Sequence, residues 1–313
     1  MGVHLQTTEV VAVVATIDAG VPQVLTIGAA AGVPALPSGP LLADHRSLQA
    51  GLRAWVESQT GLRLGFVEQL YTFGDRERAG AHQRVISVSY VALARPQPPS
   101  QDSARWRGWY ELLPWEDRRS ETSDAVVADL RGALHGWADA AARPTVADDR
   151  RARIRLAFGA DDRAWRPEDC LTRYELLWEA SLLAESGAAG PGPVGTGPTT
   201  VSTGPAMLHD HRRIVATAMA RLRGKLQYRP VVFELLPDAF TLGQLQQVVE
   251  ALSGTRLHKQ NFRRLVESED LVEETGERTT ETGGRPARLM RFRADVLSER
   301  PSAGLRLPQP RQR

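Results

Sequence analysis

The sequence predicts an α/β plus α chain: an α/β unit first, then a helical middle, then a helix-turn-helix with a hairpin wing. Three observations predict it. Residues 8–93 alternate β-branched runs with one amphipathic helix, residues 123–185 recur at helical spacing, and residues 207–297 read as three helices followed by two short strand-like runs.

The first unit opens on Glu9 to Ile17, a β-branched run of the kind buried on both faces of a sheet. Asp18-Ala19-Gly20 then separates it from Gln23 to Ile27, which is a hairpin signal. Ser47 opens a helix whose Leu48, Leu52 and Val56 fall on one face, and Gly61 closes it as a C-cap. Gly65 to Phe73 and Arg84 to Leu93 supply two more strands, so the order is strand, strand, helix, strand, strand.

Two seams follow. Arg95-Pro96-Gln97-Pro98-Pro99-Ser100 ends the first unit, and Gly187 to Pro205, built of Gly, Pro, Ala, Ser and Thr, has too little apolar surface to pack. The expected division is therefore 1–95, a helical extension at 96–186 with a possible dimerisation role, a flexible linker at 187–205, a DNA-binding unit at 206–300 and a disordered tail at 301–313. Within the middle, Ser123 to Ala142 and Arg166 to Glu185 carry helical periodicity, and Pro114 to Asp117 reads as a turn. Trp137, Trp165 and Trp178 suit a ligand cage or packing, and their spacing favours packing. Trp106, Trp109, Tyr110 and Trp115 precede them as an aromatic cluster. His209 and His211 flank Asp210, but no third metal ligand stands at motif spacing, so this stretch is expected to begin a helix.

Composition narrows the function classes. The chain has 313 residues, 42% hydrophobic and 24% charged, which excludes wholesale disorder. Its 39 basic and 37 acidic residues leave a net charge of only +2, so any nucleic-acid surface has to be local. Lysine occurs only at Lys225 and Lys259, and an arginine count is therefore no argument in itself. The single Cys170 excludes an intramolecular disulfide and a Cys-rich zinc site, pointing to a reducing, cytoplasmic setting. The first residues lack a basic leader pattern, and no apolar run approaches the length of a membrane span, so no membrane partner is expected.

The last unit carries the clearest pattern. Phe240 to Leu252 has a Thr241 N-cap, keeps Leu242, Leu245, Val248, Val249 and Leu252 on one face, and stops at Ser253-Gly254. Lys259 to Ser268 follows, with Phe262, Leu265 and Val266 inward and Lys259, Gln260, Arg263 and Arg264 outward. Leu271 to Thr275 and Arg288 to Arg293, joined through Gly283-Gly284, complete a winged helix-turn-helix. Arg256, Lys259, Arg263 and Arg264 form one basic block, and Arg285, Arg288, Arg291 and Arg293 form another along the wing. The acidic stretch between Glu267 and Glu281 is expected to point away from DNA. The candidate DNA contacts are thus Thr241, Arg256, His258, Lys259, Gln260, Asn261, Arg263, Arg264, Arg285 and Arg288. A winged helix used for protein contacts is the alternative.

Leu36-Pro37-Ser38-Gly39, the Ser47 helix and Gln59-Thr60-Gly61-Leu62 together resemble the Nudix signature, G-x5-E-x7-R-E-U-x-E-E-x-G-U with U apolar. Anchored at Gly61-Leu62, the signature's Arg-Glu falls on Ala54-Trp55, its Glu-Glu on Ser58-Gln59 and its upstream acid on Arg46, while the opening glycine matches Gly39 after a one-residue shift. The resemblance implies a Nudix-like α/β/α sandwich that has lost its metal cage and with it hydrolase activity. The rival is a magnesium-dependent pyrophosphohydrolase of ADP-ribose-like dinucleotides with displaced ligands. Arg46 and Arg53, standing among the former carboxylates, either hold a nucleotide's phosphates without metal or solvate the helix.

Glu68 to Phe73 and Arg84 to Tyr90 resemble strands of the NrtR-type Nudix-related transcriptional regulators, and by that likeness Tyr71, Phe73 and Arg84 become effector contacts beside Gly39, Arg46 and Arg53. Phe233-Glu234-Leu235-Leu236-Pro237, the Phe240 helix, Asn261-Phe262-Arg263-Arg264 and Arg285-Pro286-Ala287 resemble the C-terminal module of the same regulators. The long helical middle and the degraded box look most like the NadQ-like branch, which represses genes of de novo NAD biosynthesis. The resemblance implies a homodimeric repressor on double-stranded operator DNA, with NAD, ADP-ribose or ATP as effector and no required cofactor. A nucleotide-binding adaptor without DNA contact is the third reading.

Overall fold

The run from Val10 to Ala15 is buried on both sides because its strand lies at the centre of a three-layer sandwich. The computed structural model describes residues 5–28, 32–74, 83–159, 163–186, 202–227, 230–280, 286–296 and 304–305. Strand β1 (Leu5–Asp18) turns into β2 (Val21–Gly28), the hairpin expected at Asp18-Ala19-Gly20. Short strands β3 (Pro34–Ala35) and β4 (Ser38–Pro40) pair with β2 and β1. Helix α1 (Leu48–Thr60) follows, then β5 (Val67–Phe73) and β6 (Gln83–Leu93). β6 runs parallel to β1 from Leu5↔Gln83 to Ala15↔Leu93, while β5 pairs with it antiparallel.

The sheet does not stop at the proline-rich seam. Beyond it, β7 (Ala104–Gly108) returns to pair antiparallel with β2 from Ile27↔Ala104 to Gln23↔Gly108, making a seven-stranded mixed sheet of order β3-β2-β1-β6-β5, with β4 on β1 and β7 on β2. Side chains alternate across it. Val10, Ala12, Val14, Val88 and Tyr90 pack with Leu52 and Val56 of α1, whereas Val11, Val13, Ala15 and Val91 join Trp109, Leu112, Ile214 and Met219 on the other face.

That second face is covered by helices. They are α2 (Trp109–Leu112), a 3-10 turn at Pro114–Glu116, α3 (Glu121–Asp139), α4 (Pro144–Phe158), α5 (Cys170–Glu179) and α6 (His211–Leu226). α3 and α5 realise the two expected helices, the second over a shorter range. α4 is not visible in the periodicity, since only Ala147, Ile154, Ala157 and Phe158 are buried among charged neighbours. Trp109 and Trp115 are fully buried, Trp165 nearly so, and Trp137 lies under the Arg150 guanidinium at 3.9 Å. These tryptophans pack, while Trp178 stays exposed.

The described end of the expected linker is packed: Thr203 is buried and its carbonyl accepts from Arg212. Residues 187–201 lie outside the described residues. In the tail expected to be disordered, Leu305 is buried and its N–H donates to the Leu226 carbonyl at 2.6 Å; the rest of 301–313, apart from Gly304, lies outside the described residues. No helix among the described residues is long and apolar enough to cross a membrane. The last unit comprises α7 (Leu242–Ser253), α8 (Lys259–Glu269), β8 (Val272–Thr279) and β9 (Ala287–Phe292), and Phe240 adds a third short rung to the wing through paired hydrogen bonds with Met290 at 2.9 and 2.7 Å.

Candidate functional site

On the Nudix-like helix the expected caps are in place: the Ser47 hydroxyl accepts from the Ala50 N–H at 3.1 Å, and Gly61 closes the helix at φ 74°. The side chains at the former carboxylate positions brace the loops around them. Trp55 Nε1 donates to the Pro40 carbonyl at 2.9 Å, and the indole lies so close over Gly39 that a Cβ there would overlap the ring. Gln59 grips Ser38 at both backbone groups, accepting from its N–H at 3.0 Å and donating to its carbonyl at 2.8 Å. Gly39 is therefore accounted for by Trp55 packing.

Arg53 donates to the carbonyls of Leu64 and Gly65, the latter at 2.9 Å, so this guanidinium ties the middle of the helix to the loop that follows it. Arg46 is exposed at the start of the helix. On β5, Tyr71 is exposed while Phe73 is buried, their rings meeting edge to face at 5.2 Å with the Arg213 guanidinium 5.3 Å from the Phe73 ring. Phe73 belongs to the core between sheet and helices. Arg84 stands on β6, but its side chain lies outside the described residues. No three or more His, Cys, Asp or Glu among the described residues gather as a metal site. His211 begins α6, as expected of that stretch, and its Nδ1 accepts from the Leu36 N–H at 2.9 Å.

The helix-turn-helix is held by reciprocal caps. Thr241, itself buried, accepts from the Gln244 N–H at 3.1 Å, and Gln244 Oε1 accepts from the Thr241 N–H at 2.7 Å. Two polar residues of α7, Gln246 and Glu250, lock the turn. Glu250 accepts from the Leu257 N–H and from Gln246 Nε2, both at 2.9 Å, and Gln246 also donates to the Leu257 carbonyl at 2.9 Å. Their i, i+4 spacing on the polar face of α7 is the one trace of this in the sequence.

With the turn fixed, α8 buries Phe262 and Val266 and half-buries Leu265. Lys259, Gln260, Asn261, Arg263 and Arg264 are exposed, and His258 is the exposed N-cap residue. Arg263 and Arg264 form no ion pair with any described residue, leaving an open cationic patch on the N-terminal half of the helix. Arg256 is also exposed, but its Nε donates to the Arg119 carbonyl at 2.7 Å.

The wing differs from the expectation. Its cations do not stand apart from the acidic stretch, because β8 and β9 are neighbours and bring the two signs together: Arg291 pairs with Glu273 at 2.6 Å, Arg288 with Glu274, and Arg293 with Asp270. Glu273 lies directly opposite Arg291 on the ribbon, while Glu274, opposite Met290, reaches Arg288 on the diagonal. Arg285 lies outside the described residues.

Behind the helix-turn-helix sits a fully buried ion cluster that no periodicity announces. Arg173 meets both Glu116 oxygens at 2.6 and 2.9 Å, and Arg223 meets the same carboxylate. Burial by itself would raise the Glu116 carboxyl, but the two guanidiniums outweigh it and hold the group below the ordinary carboxylate value. Burial, with the Glu116 charge added, pushes the neighbouring Cys170 thiol well up.

Residues 232–292 match the family described as the NrtR DNA-binding winged helix domain. A stretch of 83 residues, 26% of this chain, is 40% identical to the ADPR responsive transcriptional repressor NtrR of Acinetobacter baylyi and spans only 33% of that protein's length. Among solved structures, Shewanella oneidensis NrtR complexed with a 27mer DNA is similar over 93% of this chain and 95% of its own, with a TM-score of 0.55 and 22% identity. A MutT/nudix family protein from Enterococcus faecalis is similar over 94% and 88%, with a TM-score of 0.55 and 16% identity. The likeness to both structures is one of fold, and it bears out the reading of a Nudix-like mixed sheet, a helical segment and a winged helix. The C-terminal unit is matched by family and the whole chain by fold.

Proposed function

We propose that this protein is an effector-responsive transcriptional repressor whose winged helix binds double-stranded operator DNA. The observation that carries the reading is the open Lys259, Arg263 and Arg264 surface on α8, presented by a turn whose polar groups are internally satisfied. The match of residues 232–292 to a DNA-binding domain supports it. DNA binding belongs to residues 232–292 of the unit expected over 206–300, whose first helix, α6, packs on the sheet; effector sensing belongs to the unit expected over 1–95 together with β7, and the helices of 96–186 and α6 join them.

The effector is an adenine nucleotide of the NAD pool, with ADP-ribose first because the partly matched Acinetobacter repressor is named for it, and NAD and ATP beside it. It is sensed and not hydrolysed, since Trp55 and Gln59 occupy former carboxylate positions and brace loops, Ala54 has no polar group, and the Ser58 hydroxyl donates to the Trp55 carbonyl at 3.0 Å, so the carboxylates that would hold a hard cation are gone. No resident cofactor is required. Two winged helices reading two half-sites make the working form a homodimer, acting in the cytoplasm. The NadQ-like role, repression of NAD biosynthesis genes, rests on the resemblance described above. The test is to incubate the protein with ADP-ribose and magnesium and to measure ADP-ribose binding by calorimetry. Stoichiometric binding with the nucleotide recovered intact is expected; sustained turnover would replace this reading with the pyrophosphohydrolase.

A further inference from the structure

The last carbonyls of a helix have no partner within it and are ordinarily left to water or a cap. At the end of α7 two of them are taken by side chains from outside the winged helix. Tyr110 Oη donates to the Ala251 carbonyl at 2.6 Å, and Arg223 Nε donates to the Leu252 carbonyl at 2.8 Å. The C-cap Gly254, at φ 70°, lies against the Glu116 backbone so closely that a Cβ would overlap its carbonyl. That same Glu116 carbonyl accepts from Arg223 Nη2 at 3.0 Å. One turn further on, Arg256 Nε donates to the Arg119 carbonyl.

Tyr110, Glu116 and Arg119 all belong to the short segment that leaves the sheet at Gly108. Its beginning is β7, registered on β2 over five residue pairs. Its end is tied back to the same hairpin, because Arg119 Nη1 donates to the Gly20 carbonyl at 3.1 Å in the β1–β2 turn. The Arg119 guanidinium is oriented by Asp117, whose two oxygens it meets at 2.7 and 3.1 Å. The segment is therefore fixed to the sheet at both ends and to the helix-turn-helix along its length.

We propose that residues 104–119 form a strut through which effector occupancy of the sheet sets the pose of the recognition helix, with Tyr110 and Arg119 as positioning residues. The proposal rests on the function proposed above and adds the element that couples its two sites. Coupling between distant sites needs an element that both sites bias. The strut touches the sheet at its β2 end and the turn preceding α8 at the other, the two places such an element has to join. It also seats Arg256, an expected DNA contact, whose Nε is committed to Arg119 while its Nη groups are not needed for that bond.

The experiment compares the full chain with Tyr110→Phe, Arg119→Ala and a control, Thr60→Val, which removes a similar buried hydroxyl bond, to the Val56 carbonyl at 2.7 Å, on the far face of the sheet. The first readout needs neither ligand nor DNA. Amide exchange over residues 250–258 should quicken about fivefold in Tyr110→Phe, the scale of one lost hydrogen bond, and stay near wild type in Thr60→Val. Unchanged exchange in Tyr110→Phe would overturn the strut. The second readout uses ADP-ribose and a duplex selected from a random pool by the wild type. Both strut variants should bind ADP-ribose within about twofold of wild type, while the ratio of DNA affinities with and without it falls toward one. A ratio preserved in both, or lost equally in the control, would also overturn it. Should the wild type select no duplex or bind no ADP-ribose, the proposed function fails, and the exchange readout still decides whether the segment holds the turn.

Discussion

Glu116 is fully buried and charged only because Arg173 and Arg223 stand on both of its oxygens. Its carboxyl is held below its ordinary value near 4.5, so its contribution to stability is complete above that pH and is lost as the pH falls through the folded-state value. Denaturant midpoints measured from pH 7 downward should fall steeply below about pH 4.5 in the wild type and less steeply in Glu116→Gln. Glu116→Ala, which strands two buried guanidiniums, should cost about 3–5 kcal/mol at neutral pH, measured as the loss of unfolding free energy in denaturant. Cys170, fully buried beside Met219 with its thiol pushed up by burial, should resist a thiol-specific chromogenic reagent at pH 8 until the protein is unfolded. None of these contacts was legible in the sequence. Glu116 and Arg223 are 107 positions apart, and nothing in the spacing of a lone Glu in Pro-Trp-Glu-Asp signals that two arginines converge on it.

At the scale of elements the sequence was informative wherever caps and apolar periodicity agreed. α1 begins and ends on Ser47 and Gly61, and α7 on Thr241 and Gly254, because hydroxyl N-caps and left-handed C-caps are local chemistry. Thr241→Ala should cost about 1 kcal/mol by removing the bond to the Gln244 N–H, read by thermal unfolding. α4 is not legible because only four of its residues are buried, two of them alanines, among many charged ones. The wing was legible as strands but not as electrostatics: which arginine faces which glutamate depends on register, and the register shifts between Glu274 and Arg278. That neutralisation puts the weight of phosphate contact on α8. If Arg263 and Arg264 both meet phosphates, the double alanine variant should weaken binding to specific and random duplexes alike, and the slope of log affinity against log salt should become shallower by about two. Salt titrations of both variants and wild type measure this.

Over the whole molecule, the Nudix-like sheet and the winged helix were legible as separate patterns, and their connection was not. β7 lies past a proline-rich seam that looks like a boundary, yet it completes the sheet and leads into the segment that carries the end of α7. Of the expected effector residues, Gly39 and Arg53 serve local packing and Phe73 the core, while Arg46 and Tyr71 remain on the surface. Alternation along a strand and position in a motif cannot separate these cases, because the deciding partner, Trp55 for Gly39 or the sheet–helix core for Phe73, comes from elsewhere in the chain. If one chain joins nucleotide sensing to DNA binding, a single titration should show both. Fluorescence anisotropy of a duplex selected by the wild-type protein is followed at fixed salt with and without ADP-ribose, NAD or ATP. Saturable binding is expected, with an affinity changed by at least one of the three nucleotides, by roughly 5-fold or more, the lower end of typical allosteric coupling. Binding that none of them alters, or failure to select any duplex, would contradict it.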